Sequence, residues 1–309
     1  MGFFDCGIAP SAFLKEDAPK LDDWLLKGRN AGMAYMENHK EMRLDPQLLV
    51  EGAKSIVVLL YNYFPGQTMN AGSEYLISSY AYGHDYHEVI REKLNGLMVE
   101  LKQRTPGSTI RGFVDSAPIL ERAWAGRAGL GWIGKNSMLI TRRNGSFFFL
   151  AELITDIELK YDRPFGGDYC GDCSRCMDAC PTGAITDPRI VDAGKCISYL
   201  TIENKEEIPE EFKGKYKQWI FGCDICQQVC PWNQYSVIHS EPAFYPSREL
   251  FSMQAVDWED LVKEHFNALF RKSSIKRAKF GGLKRNIQFL NSDTIQKMRQ
   301  GKGRGANID

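Results

Sequence analysis

Eight of the nine cysteines stand in two runs with the spacing of iron ligands. The first is Cys170, Cys173, Cys176 and Cys180 before Pro181; the second is Cys196, Cys223, Cys226 and Cys230 before Pro231. In a C-x2-C-x2-C-x3-C-P run, three thiolates hold one [4Fe-4S] cluster and the cysteine before proline crosses to the other. Ile220 stands where the second run would have its first ligand, and Cys196 is the substitute. Crossing over assigns Cys170, Cys173, Cys176 and Cys230 to one cluster, and Cys180, Cys196, Cys223 and Cys226 to the other. Both sites are then filled, and Cys6 stays outside them. A zinc site calls for two separated C-x2-C knuckles, which a third cysteine at the same short spacing fits poorly. Disulfides call for an oxidising compartment, and the first residues lack the charged and apolar regions of a secretion signal. The expected location is cytoplasmic, and the expected chemistry is electron handling.

Asp115 is a second chemical centre. It lies where a buried strand ends and a helix is about to begin, so its carboxyl faces a cleft rather than water. Such a carboxyl has a raised pKa and delivers a proton at neutral pH; the alternative for an Asp here is a helix N-cap. Gly129, Gly131 and Gly134 break the chain into a loop just beyond, and a nicotinamide site is not expected there. His84 and His87 flank Tyr86 at the start of an amphipathic helix. Imidazole is a common metal ligand, but a packing and capping role is the expectation for both.

The elements that must position these groups follow from periodicity. Leu21, Trp24 and Leu25, then Met33 and Met36, predict helix up to the break at Asp45-Pro46. Ser55 to Tyr61 is a continuous apolar run and predicts a buried central strand. From Asp85 to Gln103 the apolar residues recur at helical intervals and cross over to a strand at Thr109 to Val114. A helix follows from Ile119 to Ala128 with Pro118 at its first turn. Ser137 to Thr141 and Ser146 to Thr155 predict two strands joined at Arg143-Asn144-Gly145 by a type I′ turn. Asp257 to Phe270, Leu283 to Leu290 and Asp293 to Arg299 predict a helical C-terminal part.

The 309 residues, 43% of them hydrophobic, supply one large core and a small module. No run approaches the roughly 20 apolar residues of a membrane span. Charge is unevenly spread although its sum is zero. Residues 271–309 hold eleven Lys or Arg against Asp293 and Asp309 alone. That asymmetry points to a polyanion partner.

Four strings together closely resemble the epoxyqueuosine reductase family: Val114 to Arg122, Ala128 to Asn136, Cys170 to Ala184, and Cys196 to Thr201. The likeness extends from Met42 to Pro46 and Glu51 to Ser55, through Tyr82 to His87, to Leu269 to Arg271 and Ile275 to Ala278. It implies a cobalamin-dependent iron–sulfur enzyme that removes the epoxide oxygen of epoxyqueuosine in tRNA. It makes Asp115 the proton donor and places base-off cobalamin between the α/β domain and the clusters. Arg43, Asp115, Leu139, Leu150, Ser198, Cys223 and Asp224 would lie against the corrinoid. Longer members continue into a helical-repeat region that helps hold tRNA. Here the basic set Lys276, Arg277, Lys279, Lys284 and Arg285 would carry more of the phosphate binding.

The expected fold is therefore a corrinoid-binding α/β core with a mixed sheet over residues 1–164. A ferredoxin-like module with two [4Fe-4S] clusters would cover 165–235, and a short, helical, basic part 236–309. The implied partners are tRNA carrying epoxyqueuosine and an external electron donor, with no membrane. Two rivals are a cobalamin and iron–sulfur reductase of a small molecule, such as a halogenated compound, and a pure electron carrier.

Overall fold

The computed structural model describes residues 1–69 and 74–302, with side chains through Ser292. Four strands form the main sheet in the order β1 (Asp5–Pro10), β2 (Ser55–Asn62), β7 (Phe148–Thr155), β4 (Ile110–Phe113). Every pairing in it is antiparallel. Strands β2 and β4 both run opposite to β7 and so run alike, joined by the crossover helix α3 (Tyr86–Arg104). All residues of β2 and β7 are buried, because each face of the sheet is covered. Ile56, Val58, Leu60, Phe148, Leu150 and Ile154 enter one core with Trp124 and Leu139. Val57, Leu59, Tyr61, Phe149, Ala151 and Leu153 enter the other, beneath Ile90 and Leu94 of α3. Each fully buried side chain of this size contributes about 1.5–3 kcal/mol.

Helix α4 (Glu121–Arg127) lies on the first face and leads to the short pair β5 (Trp132–Ile133) and β6 (Leu139–Ile140). Helices α1 (Ala18–Leu26) and α2 (Lys40–Leu44) flank that face, with a 3-10 turn at Ala34–Met36 between them. The cysteine region adds α5 (Arg175–Asp178), the pair β8 (Ile185–Asp187) and β9 (Ile190–Val191), α6 (Ile197–Ile202), β10 (Trp219–Phe221) and α7 (Ile225–Gln228). Strand β10 runs parallel to β3 (Leu76–Ile77), which makes the fold's β pairing mixed. Helices α8 (Arg248–Ser252), α9 (Ala255–Glu259), α10 (Lys263–Leu269) and α11 (Lys279–Lys302) close the chain. A third core unites Tyr75, Ile77 and Tyr82 with Leu200, Phe221, Trp258, Phe270 and Ile287.

Several sequence expectations shift. The predicted hairpin after Ser137 shrinks to a single bridge, Thr141 to Gly145, and β6 pairs with β5 instead of β7. Only Gly145 of the turn has positive φ, so a type I′ turn is ruled out. Asn144 is buried and bound instead, its Oδ1 accepting from the Val237 amide and its carbonyl from Ser236 Oγ. Gly129, Gly131 and Gly134 do have the spacing of a dinucleotide loop. They follow a helix and open a strand, the reverse of the order that cradles a pyrophosphate. At Gly131 a Cβ would stand 2.2 Å from the Ile140 carbonyl oxygen, so close strand approach accounts for it. Pro118 precedes α4 instead of opening it, the helix predicted at Asp257 to Phe270 is two helices, and the last two predicted helices are one. Strand β1 was not anticipated. No helix among the described residues is long and apolar enough to cross a membrane.

Candidate active site and cluster region

Asp115 follows β4 with φ of 53°, a left-handed conformation that costs a non-glycine residue about 1 kcal/mol. It caps no helix: Leu120 occupies the N-cap of α4. Its side chain is 54% exposed, with one carboxyl oxygen engaged by protein groups. Oδ2 accepts from the Tyr86 hydroxyl at 2.8 Å and lies 3.0 Å from His87 Nε2. The other ring nitrogen, Nδ1, is 2.7 Å from Asp85 Oδ1. Asp85 also caps α3, accepting from the His87 amide at 3.0 Å. Both ring nitrogens thus face carboxylates, which only accept when ionised, so the ring carries both protons. Burial works against that charge, but the bonds to Asp115 and Asp85 outweigh it and raise His87 to about 9. Tyr86 is fixed by stacking on Phe149, ring centroids 4.1 Å apart and 7° from parallel.

This arrangement corrects two expectations. Burial does push the Asp115 carboxyl up, but His87 and Tyr86 outweigh it and hold it below the usual carboxylate value. The resident proton is on His87, not on Asp115. His87 is correspondingly more than a packing and capping residue; the Tyr82 to His87 string within the family likeness was the signal for it.

Two further carboxyls stand behind Asp115. The Asp115 amide donates to Glu121 Oε1 at 2.7 Å. Burial, then the Asp115 charge, pushes Glu121 up to about 8. Glu152 lies in β7 opposite Phe113, wholly buried, and neither carboxyl oxygen has a hydrogen-bond partner. Burial raises it well above the ordinary glutamate value, with Glu121 and Asp115 adding to the effect. The legible signal was one acid inside an eight-residue apolar strand. Arg122 opens α4 beside Glu121 and donates to the Ser137 carbonyl.

The corrinoid contacts implied by the family likeness are gathered unevenly. Arg43 is buried, donates from one Nη to the Tyr35 carbonyl at 2.7 Å, and keeps a buried Nε without a partner. Leu139 and Leu150 are buried on the same face of the sheet. A buried unpartnered donor and buried apolar side chains are both groups that suit a corrinoid, which has apolar ring surface and amide-bearing arms. Ser198 lies within the first turn of α6, whose N-cap is Cys196. Asp224 is buried, its carboxylate accepting from Ser78 Oγ and, at 2.7 Å, from the Ser79 amide, and it lines a cavity with Ser79 and Phe147.

No three His, Cys, Asp or Glu side chains among the described residues are grouped to hold a single metal ion. The structure draws the cysteines into two sets. Cys170, Cys173, Cys176 and Cys230 line one small cavity with Trp232 and Lys135. Trp132 Nε1 donates to Cys170 Sγ at 3.5 Å. In the other set Cys196 is within electrostatic reach of Cys180, and Cys223 of Cys226 and Cys196. Burial pushes the Cys196, Cys223 and Cys226 thiols up, as it does Cys176 and Cys230 of the first set.

The basic set is split. Lys276 and Lys279 are exposed. Arg277 pairs with Glu203 through two bonds, Nε at 2.8 Å and Nη2 at 3.0 Å. Lys284 donates to the Glu259 carbonyl. Arg285 turns inward to the carbonyls of Leu200, Asn204 and Glu206, a structural commitment that removes it from phosphate binding. Residues 303–309, including Arg304, lie outside the described residues.

Residues 43–116 match the family model described as epoxyqueuosine reductase QueG, and residues 169–233 match the 4Fe-4S double cluster binding domain. The chain is 53% identical over 290 residues to an epoxyqueuosine reductase of Cellulophaga algicola, covering 94% of each chain. It is 41% identical over 282 residues to that of Escherichia coli, covering 90% of this chain and 74% of the relative. A crystal structure of epoxyqueuosine reductase with an epoxyqueuosine-modified tRNA-Tyr stem loop superposes with a TM-score of 0.87 at 31% identity, covering 94% of this chain and 78% of that one. The Bacillus subtilis enzyme, with its catalytic aspartate loop swung out of the active site, gives 0.87 at 30% identity, covering 99% and 83%.

Proposed function

The chain belongs to the epoxyqueuosine reductase family, and from that premise we propose how its own residues reduce epoxyqueuosine to queuosine in tRNA. It is an oxidoreductase that acts on epoxyqueuosine-containing tRNA. The observation that carries the residue roles is the Asp85–His87–Asp115 chain, ending in a half-exposed carboxylate.

Asp115 gives the proton to the departing epoxide oxygen and draws it from His87. As negative charge develops on that oxygen it becomes the stronger base, and the proton shared across the 3.0 Å contact moves toward it. Tyr86 and Asp85 hold the two partners in place. The left-handed backbone of Asp115 is strained, as residues at functional sites often are.

Residues 165–235 are the electron-transfer module, fed by an external donor, with 1–164 as the catalytic domain and 236–309 as the basic part facing tRNA. Cys170, Cys173, Cys176 and Cys230 hold one cluster; Cys180, Cys196, Cys223 and Cys226 hold the other. Cobalamin, when bound, supplies a strongly reducing metal centre for opening the carbon–oxygen bond. Arg43, Asp115, Leu139, Leu150, Ser198, Cys223 and Asp224 would hold it. Lys276 and Lys279, with Arg277, meet the phosphates; Arg277 lies within electrostatic reach of Asp115. The test is anaerobic reconstitution with iron, sulfide and cobalamin, followed by mass analysis of nucleosides from epoxyqueuosine-containing tRNA. Conversion to queuosine is the expected result; unchanged epoxyqueuosine with fully loaded protein overturns the reading.

A further inference from the structure

The two cysteine sets have different surroundings. Cys223 of the second set precedes Asp224, which accepts from the Ser79 amide at 2.7 Å. Tyr80, the next residue, stands edge-on to Tyr86 with ring centroids 6.1 Å apart, and Tyr86 donates to Asp115. That run of contacts leads from the second set to Asp115. The first set lines its small cavity with Tyr169, Arg175 and Trp232, and these lead to the surface. The Trp232 ring centroid is 6.1 Å from that of Tyr169 and 6.1 Å from that of Tyr235. Tyr169 is 37% exposed and Tyr235 51%.

Beyond Tyr235 the apolar surface continues. Val237 and Ile238 are 52% and 60% exposed. This strip is pinned to the turn before β7, because Ser236 Oγ and the Val237 amide both donate to Asn144. The same turn carries Arg142 and Arg143, both exposed, and the Arg142 guanidinium lies 4.1 Å from the centre of the Tyr169 ring. Arg175, at the start of α5, is a third exposed cation. Residues 122–151 and 225–240, which supply the turn and the strip, contain no Asp or Glu. Against these cations the cysteine loop sets Asp168, paired with Arg189, Asp178, bonded to Ser174 Oγ, and the exposed Asp172. Exposed apolar side chains gathered in one place mark a contact site, and aromatic residues with Arg are the composition of a protein interface.

We infer that this face, with Tyr169, Tyr235, Val237 and Ile238 framed by arginines, docks the external electron donor, and that the donor is a small acidic one-electron carrier protein; this rests on the reading of residues 165–235 as the electron-transfer module. Charge selects the partner, since cations without neighbouring acids steer an acidic face toward them. The apolar strip excludes water where the two redox centres must come close enough for an electron to tunnel. Each carrier gives one electron, so two reduced carriers are oxidised for each epoxide. Those two electrons and two protons break both carbon–oxygen bonds, form the alkene and release the oxygen as water. A small, partly polar contact suits a partner that must leave after each transfer.

The test uses the full chain, anaerobically reconstituted, with two acidic carriers, a flavodoxin and a plant-type ferredoxin, each photoreduced. Stopped-flow absorbance follows cluster bleaching. At least one carrier should reduce the wild type at low salt, with a second-order rate that falls as salt rises. Arg142→Glu with Arg143→Glu should lower that rate at least about tenfold and flatten its salt dependence. Val237→Ser with Ile238→Ser should lower the rate and keep the salt dependence. Lys102→Glu with Arg104→Glu, an equal charge change on exposed residues at the end of α3, should leave the rate unchanged. Excess dithionite, which needs no docking face, should reduce every variant to the same extent, and tRNA affinity should stay at the wild-type value. No reduction of the wild type by either carrier, an unchanged rate in the arginine variant, or a loss of tRNA binding in place of carrier reduction overturns the docking face. Failure of the module reading is distinct from these: the reconstituted wild type then takes up no clusters, or dithionite fails to bleach them.

Discussion

His87 Nε2 stands 3.0 Å from Asp115 Oδ2 while His87 Nδ1 stands 2.7 Å from Asp85 Oδ1, so one imidazole bridges two carboxylates that arrive from different elements. Its pKa should therefore lie near 9. Replacing Asp115 by Asn should bring it down toward the ordinary value of about 6.5. NMR titration of the ring measures this. Because the folded value is raised, the bridge stabilises the fold fully below about pH 6.5 and that contribution fades as pH rises through about 9. A His87 that titrates normally in the wild type refutes the bridge.

Asp115→Asn also tests the chemistry. The amide preserves size and most hydrogen bonding but cannot relay a proton. Turnover should fall at least about a hundredfold, with clusters, cobalamin and tRNA binding intact. Single-turnover assay against reconstituted wild type decides it, and near-normal turnover removes Asp115 from the mechanism.

The cysteine assignment predicts selective losses. Cys196→Ser should leave about four of about eight irons after anaerobic reconstitution, whereas Cys6→Ser should keep them all. Trp132→Phe removes the N–H···S bond to Cys170. Such bonds favour the more negative, reduced cluster, so one potential should fall and the other stay. Iron analysis and a spectroscopic redox titration check both.

Lys276 and Lys279 should contribute to tRNA affinity through phosphate contacts. Reversing both charges should weaken binding and flatten its salt dependence by about two in log–log slope. Arg285→Ala should instead lower stability, because its guanidinium serves the carbonyls of Leu200, Asn204 and Glu206. A salt slope unchanged by the lysine reversals places the tRNA elsewhere.

Asn286 is completely buried and donates to the Thr201 and Ile220 carbonyls, each at 2.8 Å. Asn286→Ala would leave both carbonyls without that donor, a loss of about 2 kcal/mol. The midpoint of anaerobic urea unfolding should drop with an unchanged slope.

What the sequence determined by itself was chemistry confined to short stretches of chain. The cysteine spacing pointed to two [4Fe-4S] clusters, as the double-cluster domain matched over residues 169–233 bears out, since a cluster's reach fixes how many residues separate its thiolates. The apolar run at Ser55 to Tyr61 and the helical period after Asp85 gave β2 and α3, because local pattern decides which face is buried. Tertiary structure decided everything that depends on neighbours distant in sequence. Asp115 was legible as a site, but its protonation was not, because His87 and Tyr86 come from a helix that begins 29 residues before Asp115. Glu152 is the one acid within an apolar strand, and only the sheet register put it opposite Phe113, two residues before Asp115. The Asn-Gly turn carried a hairpin signal, and burial of Asn144 against residues 236–237 overrode it. Arg285 counted as free charge in the sequence; the fold spent it on backbone carbonyls. A charge or a proton belongs to its surroundings, and packing alone supplies them.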